Sequence, residues 1–115
     1  MVFLITGGYG FIGSALIRYI LENTSHKVIN VDSISYDSNL ESLKMFYKKK
    51  NYIFYKENII NKNRIQDIID THQPNYIMHL AAESHVDRSI KNPSVFIETN
   101  ILGTYTLLQC SLKYW

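Results

Sequence analysis

The residues with the clearest chemical meaning are four glycines within residues 7–13, which follow directly on the apolar run 2–5. Gly8, Gly10 and Gly13 have the G-x-G-x-x-G spacing of a strand that turns sharply into a helix. Such a turn leaves backbone N–H groups bare at the helix N-terminus, where partial positive charge favours a phosphate. The spacing therefore predicts a turn that binds the pyrophosphate of a dinucleotide.

A second strand, predicted at residues 28–32, ends in an acid, Asp32. A dinucleotide-binding fold places a carboxylate there to accept a hydrogen bond from a ribose 2′-hydroxyl. A 2′-phosphate in the same place would meet like charge. Asp32 therefore predicts NAD, and not NADP, as the cofactor.

Other clusters of reactive side chains give weaker evidence of a function. Ser84, His85 and Asp87 are the residue types of a hydrolytic triad, but three near neighbours cannot align their functional atoms. The four histidines lack metal-ligand spacing, so no metal is predicted. Tyr52 and Lys56 have the Tyr-x-x-x-Lys spacing of a catalytic pair, yet they fall on a predicted strand, where that spacing does not make neighbours. We expect no catalytic residue among them.

The composition is that of one small globular domain, with 115 residues, 46% of them hydrophobic, and a net charge of +2. So small a charge predicts neither a nucleic-acid nor a membrane partner, and the basic run 48–50 is expected to be a solvated helix end. The single cysteine, Cys110, excludes an internal disulfide and is expected to be buried. With no signal peptide or spanning segment in the sequence, we expect a cytoplasmic protein.

Strands and helices alternate along the chain. Helical spacing after the glycines predicts one apolar face, made of Ile12, Ala15, Leu16, Tyr19 and Ile20. Further helices are predicted around Leu40, Leu43 and Tyr47, around Ile65, Ile68, Ile69 and His72, and after Asn92 and Pro93, the last carrying Phe96, Ile97, Ile101, Leu108 and Leu112. Residues 52–55 and 76–80 predict the third and fourth strands.

This alternation predicts an α/β protein of the Rossmann type, with a parallel sheet in strand order 3-2-1-4 and helices on both faces. Four strands make only the first half of such a domain. We therefore expect residues 1–115 to be the N-terminal part of an NAD-binding domain. The fourth strand is then an unpaired edge, and the chain has the pattern of a truncated one.

Residues 80–90, Leu-Ala-Ala-Glu-Ser-His-Val-Asp-Arg-Ser-Ile, make a more specific match, together with residues 39–43, 96–100 and 103–104 and the glycine turn. These segments resemble the extended short-chain dehydrogenase/reductase family and, within it, the bacterial-type dTDP-glucose 4,6-dehydratases. The resemblance spans nearly the whole chain. Asn58 departs from it, since the family usually has an aspartate there that accepts from the adenine amino group; an amide oxygen can still accept.

The resemblance implies a set of NAD contacts in four segments. They are Gly7, Gly10, Phe11, Ile12 and Gly13 at the phosphates; Asp32, Ser33, Ile34 and Ser35 at the adenosine ribose; Asn58 and Ile59 at the adenine; and Leu80, Ala81, Ala82, Glu83, Ser84 and Thr99 on the nicotinamide side. Ser84 is also implied to touch the nucleotide sugar.

The resemblance also implies an NAD-dependent lyase that converts dTDP-glucose to its 4-keto-6-deoxy product in deoxysugar synthesis, such as the rhamnose route. The family uses a Tyr and Lys pair and an Asp and Glu pair on a fifth strand and the following helix, and these are not found in residues 1–115. We therefore expect this chain alone to be inactive, and a full-length protein to form a homodimer. Two alternatives stay open: a relative such as UDP-glucose 4-epimerase, and a non-catalytic module that binds NAD or assembles with partners.

Overall fold

Four parallel strands form one sheet in the order β3-β2-β1-β4 in the computed structural model, which describes residues 1–115. The strands are β1 (Val2–Thr6), β2 (Lys27–Asp32), β3 (Tyr52–Lys56) and β4 (Tyr76–His79). Thr6 lies opposite both Val31 and His79, so the carboxyl ends of the strands meet at one edge of the sheet. The predicted class, a Rossmann-type sheet in strand order 3-2-1-4, is confirmed.

Helices follow each strand. They are α1 (Phe11–Asn23), a 3₁₀ helix (Leu40–Phe46), α2 (Lys62–His72), α3 (Val86–Lys91), α4 (Pro93–Phe96), a π-helical segment (Ile97–Gly103) and α5 (Thr104–Tyr114). The last three form one continuous helical run, because the residues at their junctions keep right-handed helical dihedral angles. No helix has both the length and the apolar character that crossing a membrane requires.

Two buried clusters lie on opposite faces of the sheet. The first joins residues such as Leu4 and Ile29 to α2 and α5, and it includes Ile65, Ile69, Leu107 and Cys110. The second joins Ile5 and Val28 to α1 and the 3₁₀ helix, and it includes Ile17, Leu43 and Phe46. Successive strand residues point to opposite faces, so β1, β2 and β3 each contribute to both clusters. The predicted burial of Cys110 is confirmed.

The buried face of α1 differs from the predicted one. Ile12, Ala15 and Tyr19 are exposed, and the residues that face the sheet are Gly13, Ser14, Ile17, Ile20 and Leu21. Gly13 sets this orientation, since a Cβ at that position would overlap the carbonyl oxygen of Gly7. The helix therefore turns its small residues toward the glycine turn, and its apolar spacing alone did not show this.

The apolar stripe predicted on the last helix is also exposed for most of its length. Ile97, Ile101, Leu108 and Leu112 are each more than half exposed, and so is Tyr105. The packed side consists of Gly103, Thr106, Leu107 and Cys110. These smaller side chains allow α5 to lie against α2, so the larger apolar residues face outward.

Gly103 lies in close contact with Ile59, so a larger residue at position 103 should destabilise the fold. A Cβ at residue 103 would lie 2.7 Å from Ile59 Cγ1. We expect Gly103→Ala to lower the free energy of unfolding by about 1 to 3 kcal/mol, the usual cost of overpacking a tight core. Urea denaturation measures the loss, and the double variant Gly103→Ala, Ile59→Val should recover part of it. An unchanged midpoint in the single variant contradicts the close packing.

Three shorter features complete the fold. The 3₁₀ helix is capped by Asn39, whose side chain accepts from Glu41 N–H. Tyr52 and Lys56 lie on β3, as predicted, so they do not form a helical catalytic pair. Residues 86–91, which the sequence analysis did not assign to an element, form α3.

Candidate dinucleotide-binding site

A cleft opens at the carboxyl ends of the strands, where β1 and β2 meet the loop after β4. It encloses about 600 Å³ of empty space, counting its open mouth. Its lining comes from the glycine turn, the loops after β2 and β3, the loop after β4 and the π-helical segment. In open parallel sheets, this edge is where ligands bind.

The glycine turn is held by backbone contacts that side chains would disrupt. Gly7 has φ +72°, and a Cβ there would lie 2.6 Å from Ala81 N. Gly13 packs against the Gly7 carbonyl, whereas the site of a Cβ at Gly10 is open except for the Gly7 oxygen at 3.3 Å. Gly10 lines the cleft. Gly7 and Gly13 thus lie where the backbone is crowded, whereas Gly10 leaves open space at the cleft.

The start of α1 leaves N–H groups available beside this turn. The first hydrogen bond of the helix runs from Ser14 N–H to the Gly10 carbonyl at 3.0 Å, so the amides of residues 11–13 precede it, as at any helix start. The side chains of Phe11 and Ile12 are 94% and 68% exposed. Neither residue lines the cleft, so we expect their backbone amides to make any contact with a ligand there.

Asp32 is fixed by two backbone donors at the end of β2. Tyr9 N–H donates to Oδ2 at 2.9 Å, and Ile34 N–H donates to Oδ1 at 2.8 Å. Ile34 has φ +58°, an unusual conformation for a β-branched residue. Such strain persists where the surroundings hold it, often at functional sites. Asp32 is buried, with 8% of its surface exposed, and lines the cleft.

Tyr9 links the glycine turn to the loop that follows β2. Its carbonyl accepts from Asn39 N–H at 3.1 Å. Its side chain is buried, with the hydroxyl 3.3 Å from that of Tyr47 and 3.4 Å from that of Tyr52. Burial raises the pKa of Tyr9, so the phenol stays protonated. The sequence analysis did not foresee this link, because it depends on residues about 40 positions apart.

The loops after β3 and β4 complete the walls. After β3, Asn58 and Ile59 line the cleft, and Asn58 Oδ1 accepts from Ile60 N–H at 3.1 Å. After β4, residues 80–83 line it, together with Thr99 from the π-helical segment. The Asn58 oxygen is therefore already engaged in a local turn.

Most of the residues predicted for the cofactor meet in this one cleft. Those in its lining are Gly7, Gly10, Asp32, Ser33, Ser35, Asn58, Ile59, Leu80, Ala81, Ala82, Glu83 and Thr99. Phe11, Ile12 and Gly13 lie at the adjoining helix start, and Ile34 reaches the site through its N–H. Ser84 is exposed and lies outside the lining.

Four lining residues were missed by the sequence analysis: Val31, Asp37, Ser38 and Glu57. Glu57 follows β3 directly, so the rule that ligands bind at strand carboxyl ends could have found it. With Asp32 and Glu83, Asp37 and Glu57 make the cleft acidic, although Glu57 also pairs with Arg64 at 3.3 Å. An acidic lining opposes an additional phosphate on a ribose.

The segment around Ser84, His85 and Asp87 has no triad geometry. His85 lies 3.9 Å from Asp37, and Asp87 lies in the first turn of α3. The guanidinium of Arg88 stacks on the Tyr36 ring, at 3.5 Å from the centroid. Such stacking is a favourable contact for a guanidinium.

The geometry fits a dinucleotide with a free 2′-hydroxyl. The fit rests on the open backbone at Gly10, the helix start beside it and the fixed carboxylate of Asp32. The family model described as GDP-mannose 4,6 dehydratase matches residues 4–115. The chain belongs to the GDP-mannose 4,6-dehydratase family. The predicted relationship to the dehydratases of nucleotide sugars is thereby confirmed.

Individual relatives of the chain agree with this assignment. A dTDP-glucose 4,6-dehydratase of Escherichia coli is 55% identical over 115 residues, which are all of this chain and 32% of that protein. The chain thus spans about a third of the length of the curated relatives it matches.

Two solved structures show the same fold. The dTDP-glucose 4,6-dehydratase DesIV of Streptomyces venezuelae, crystallised with NAD, has a TM-score of 0.92 and 39% identity, covering 99% of this chain and 36% of that one. A UDP-glucose 4-epimerase of Thermotoga maritima, crystallised with UDP-glucose, has a TM-score of 0.88 and 38% identity, covering 99% and 35%. Dehydratases and epimerases therefore share this architecture.

Proposed function

We propose that this chain binds NAD and forms the NAD-binding portion of a dTDP-glucose 4,6-dehydratase. The observation that carries the proposal is the cleft itself, where an open glycine turn faces a carboxylate fixed by Tyr9 and Ile34. The relatives near 50% identity that are named dTDP-glucose 4,6-dehydratase support the reaction class.

Each part of the dinucleotide has a place in the proposal. The pyrophosphate lies against the amides at the start of α1, beside Gly10. Asp32 accepts from the adenosine ribose, and the adenine lies toward Asn58 and Ile59. The nicotinamide lies along residues 80–83 and Thr99, which line the cleft. Bound NAD supplies the hydride acceptor of the family's chemistry, and the residues of this chain hold and orient it.

Gly10→Ala tests the proposal, because it alters the cleft more than the fold. The added methyl group meets only the Gly7 oxygen at 3.3 Å, so the backbone needs to move by a few tenths of an ångström. The same methyl group occupies the surface offered to the pyrophosphate. We expect the Kd for NAD to rise at least tenfold by calorimetry, while the melting temperature stays close to that of the parent.

The matched control for Gly10→Ala is Ala15→Gly. It exchanges the same two residue types in the reverse direction, at an exposed position of α1. This control should bind NAD as the parent does. Equal affinity in the parent and in Gly10→Ala contradicts the proposed place of the pyrophosphate. A parent that does not bind NAD contradicts the proposal as a whole.

The substrate class is proposed as a nucleotide sugar, with dTDP-glucose favoured. Ser84, exposed beside the wall formed by residues 80–83, is the proposed contact to the sugar nucleotide. The groups that the family uses for proton transfer are not found in residues 1–115, so we expect no turnover of dTDP-glucose by this chain above a Gly10→Asp control. Turnover above that control would contradict this part of the proposal.

UDP-glucose 4-epimerase is the second candidate, favoured by the Thermotoga maritima structure at 38% identity. The two candidates differ outside the described residues, because an Asp and Glu pair on a fifth strand marks the dehydratases. Sequencing the gene past the codon for Trp115 tests for that pair. A non-catalytic module that only binds NAD is the third candidate, and the native mass of the purified protein from its source tests it.

We also propose a homodimer for the full-length protein and a cytoplasmic location. The exposed apolar stripe of the last helix supports the dimer, since a contiguous patch of this kind usually marks an interface. Its members are Ile97, Ile101, Tyr105, Leu108 and Leu112. The buried lone thiol of Cys110 fits a reducing compartment.

A further inference from the structure

His79 connects three elements beneath the cleft wall. It is the last residue of β4, and its Nδ1 lies 2.7 Å from Thr6 Oγ1 on β1. Its Nε2 lies 2.9 Å from Thr104 Oγ1 on α5. The imidazole therefore bridges the central strand and the last helix at the point where residues 80–83 leave the sheet.

The hydrogen bonds of Thr6 fix the tautomer of this imidazole. Thr6 Oγ1 accepts from Leu80 N–H and from Ala81 N–H, each at 3.2 Å. A hydroxyl has two acceptor lone pairs and one proton. With both lone pairs engaged, Thr6 must donate its proton to Nδ1 of His79. The ring is then neutral, with its own proton on Nε2.

The chain of hydrogen bonds continues on the other side of the ring. His79 Nε2–H donates to Thr104 Oγ1, which donates to the Asn100 carbonyl at 2.7 Å. The Asn100 side chain then accepts from Glu83 N–H and donates to the Glu83 carbonyl, both at 2.9 Å. The cleft wall is thus held at two points. Thr6 on β1 bonds the Ala81 amide, and Asn100 of the π-helical segment bonds the backbone of Glu83.

We propose that His79, as the neutral Nε2–H tautomer, is a positioning residue that holds residues 80–83 in the form that accepts the nicotinamide half of NAD. The proposal deepens the NAD-binding function and rests on it. The Ala81 amide is the diagnostic group, because its acceptor is the Thr6 hydroxyl. Leu80 N–H also reaches the Thr6 carbonyl at 3.1 Å and would remain bonded without that hydroxyl.

A proton added to Nδ1 would break this arrangement. Thr6 Oγ1 would then face three donors with two lone pairs. The groups that face the ring are the hydroxyls of Thr6 on β1 and Thr104 on α5, and neither titrates in the neutral range. Burial lowers the pKa of His79 from its ordinary value. The native state thus resists protonation, and the network is intact at neutral pH.

The lowered pKa of His79 determines how the stability of the fold changes with pH. In the unfolded chain His79 takes up a proton near pH 6.5, before the native protein does. The stability contributed by neutral His79 is therefore complete above about pH 6.5 and is lost as the pH falls toward the native pKa. We expect NAD affinity to fall only as the pH passes through the lowered native pKa, where the folded protein itself takes up the proton.

Two substitutions of His79 separate its two hydrogen bonds. Asparagine places an amide oxygen where Nδ1 lies and can keep the bond from Thr6. Glutamine reaches toward Thr104 and leaves Thr6 without its acceptor. In His79→Gln we expect hydrogen exchange at the Ala81 amide to be at least tenfold faster and the Kd for NAD to rise about tenfold. His79→Asn should stay within about threefold of the parent on both measures and lose the low-pH dependence of NAD affinity.

Nitrogen NMR of the parent reads the tautomer directly and needs no ligand. Protonated Nε2 with bare Nδ1 at pH 7 is the expected spectrum, and protonated Nδ1 would overturn the proposal. An equal rate of hydrogen exchange at the Ala81 amide in the parent and in His79→Gln would also overturn it. His26→Asn, at the opposite end of the sheet, is the control. If His79→Gln does not fold, Thr6→Val against Thr6→Ser makes the same test.

The two proposals fail separately in this design. Loss of NAD binding in the parent, with the expected tautomer and Ala81 protection, contradicts the NAD-binding function and leaves the hydrogen-bond network in place. Normal NAD binding with the wrong tautomer contradicts the role of His79 alone.

Discussion

Gly13→Ala should lower the free energy of unfolding by about 3 to 5 kcal/mol, which places it among the most damaging single substitutions. The added Cβ would overlap the Gly7 carbonyl oxygen and lie 2.9 Å from Gly7 C and Gly8 Cα. These are backbone atoms of a turn whose conformation is already set by Gly7 at φ +72°. They cannot move aside as a side chain would, so α1 must separate from the sheet. Urea denaturation followed by circular dichroism measures the loss.

Gly10→Ala is the matched comparison for this prediction, since it adds the same methyl group three residues earlier. Its nearest new contact is at 3.3 Å, so its midpoint should stay close to that of the parent. The pair thus separates a glycine required for folding from one required for a ligand. If Gly13→Ala unfolds at the parent's urea concentration, the close approach of α1 to the glycine turn is wrong.

Replacing Asp32 with asparagine should reduce the preference for NAD over NADP about tenfold. Two unit charges 4 Å apart interact by about 4 kcal/mol at the effective dielectric of a protein surface, and asparagine removes that repulsion toward a 2′-phosphate. The remaining acids of the lining, including Asp37 and Glu57, keep part of the preference. Calorimetric titration of the parent and the variant with both dinucleotides gives the two ratios.

Asp67→Asn is the control for Asp32→Asn, because it removes the same charge from an exposed position on α2. Its ratio of affinities should match that of the parent. A parent that binds NADP as tightly as NAD would contradict the role of Asp32. The stability of Asp32→Asn is measured alongside, because the amide leaves one of the two backbone donors, Tyr9 N–H or Ile34 N–H, without its acceptor.

The exposed stripe on the last helix shows where the sequence pattern was ambiguous. Helical spacing gave the right element and the right starting pair, Asn92 and Pro93. It could not tell which side packs on the sheet, because large apolar residues lie on one side and small ones on the other. Gly103 and Cys110 decided the matter through close contact with Ile59 and α2.

The sequence by itself determined the strand order, the glycine turn and the acid at the end of β2. Each depends on local patterns: alternation of apolar runs, glycine spacing and position relative to a strand end. The cleft residues that follow these strand ends could be named for the same reason, once the family resemblance was recognised.

Only the tertiary structure decided the orientation of α1, the support of Asp32 by Tyr9 and Ile34, and the bridge from Thr6 through His79 to Thr104. Thr6 and His79 are 73 residues apart, and His79 and Thr104 are 25 apart. Their hydrogen bonds exist because the sheet places β1 beside β4 and because Thr104, the first residue of α5, lies within hydrogen-bond reach of the end of β4. No spacing along the chain encodes such contacts, since they depend on how closely the elements approach.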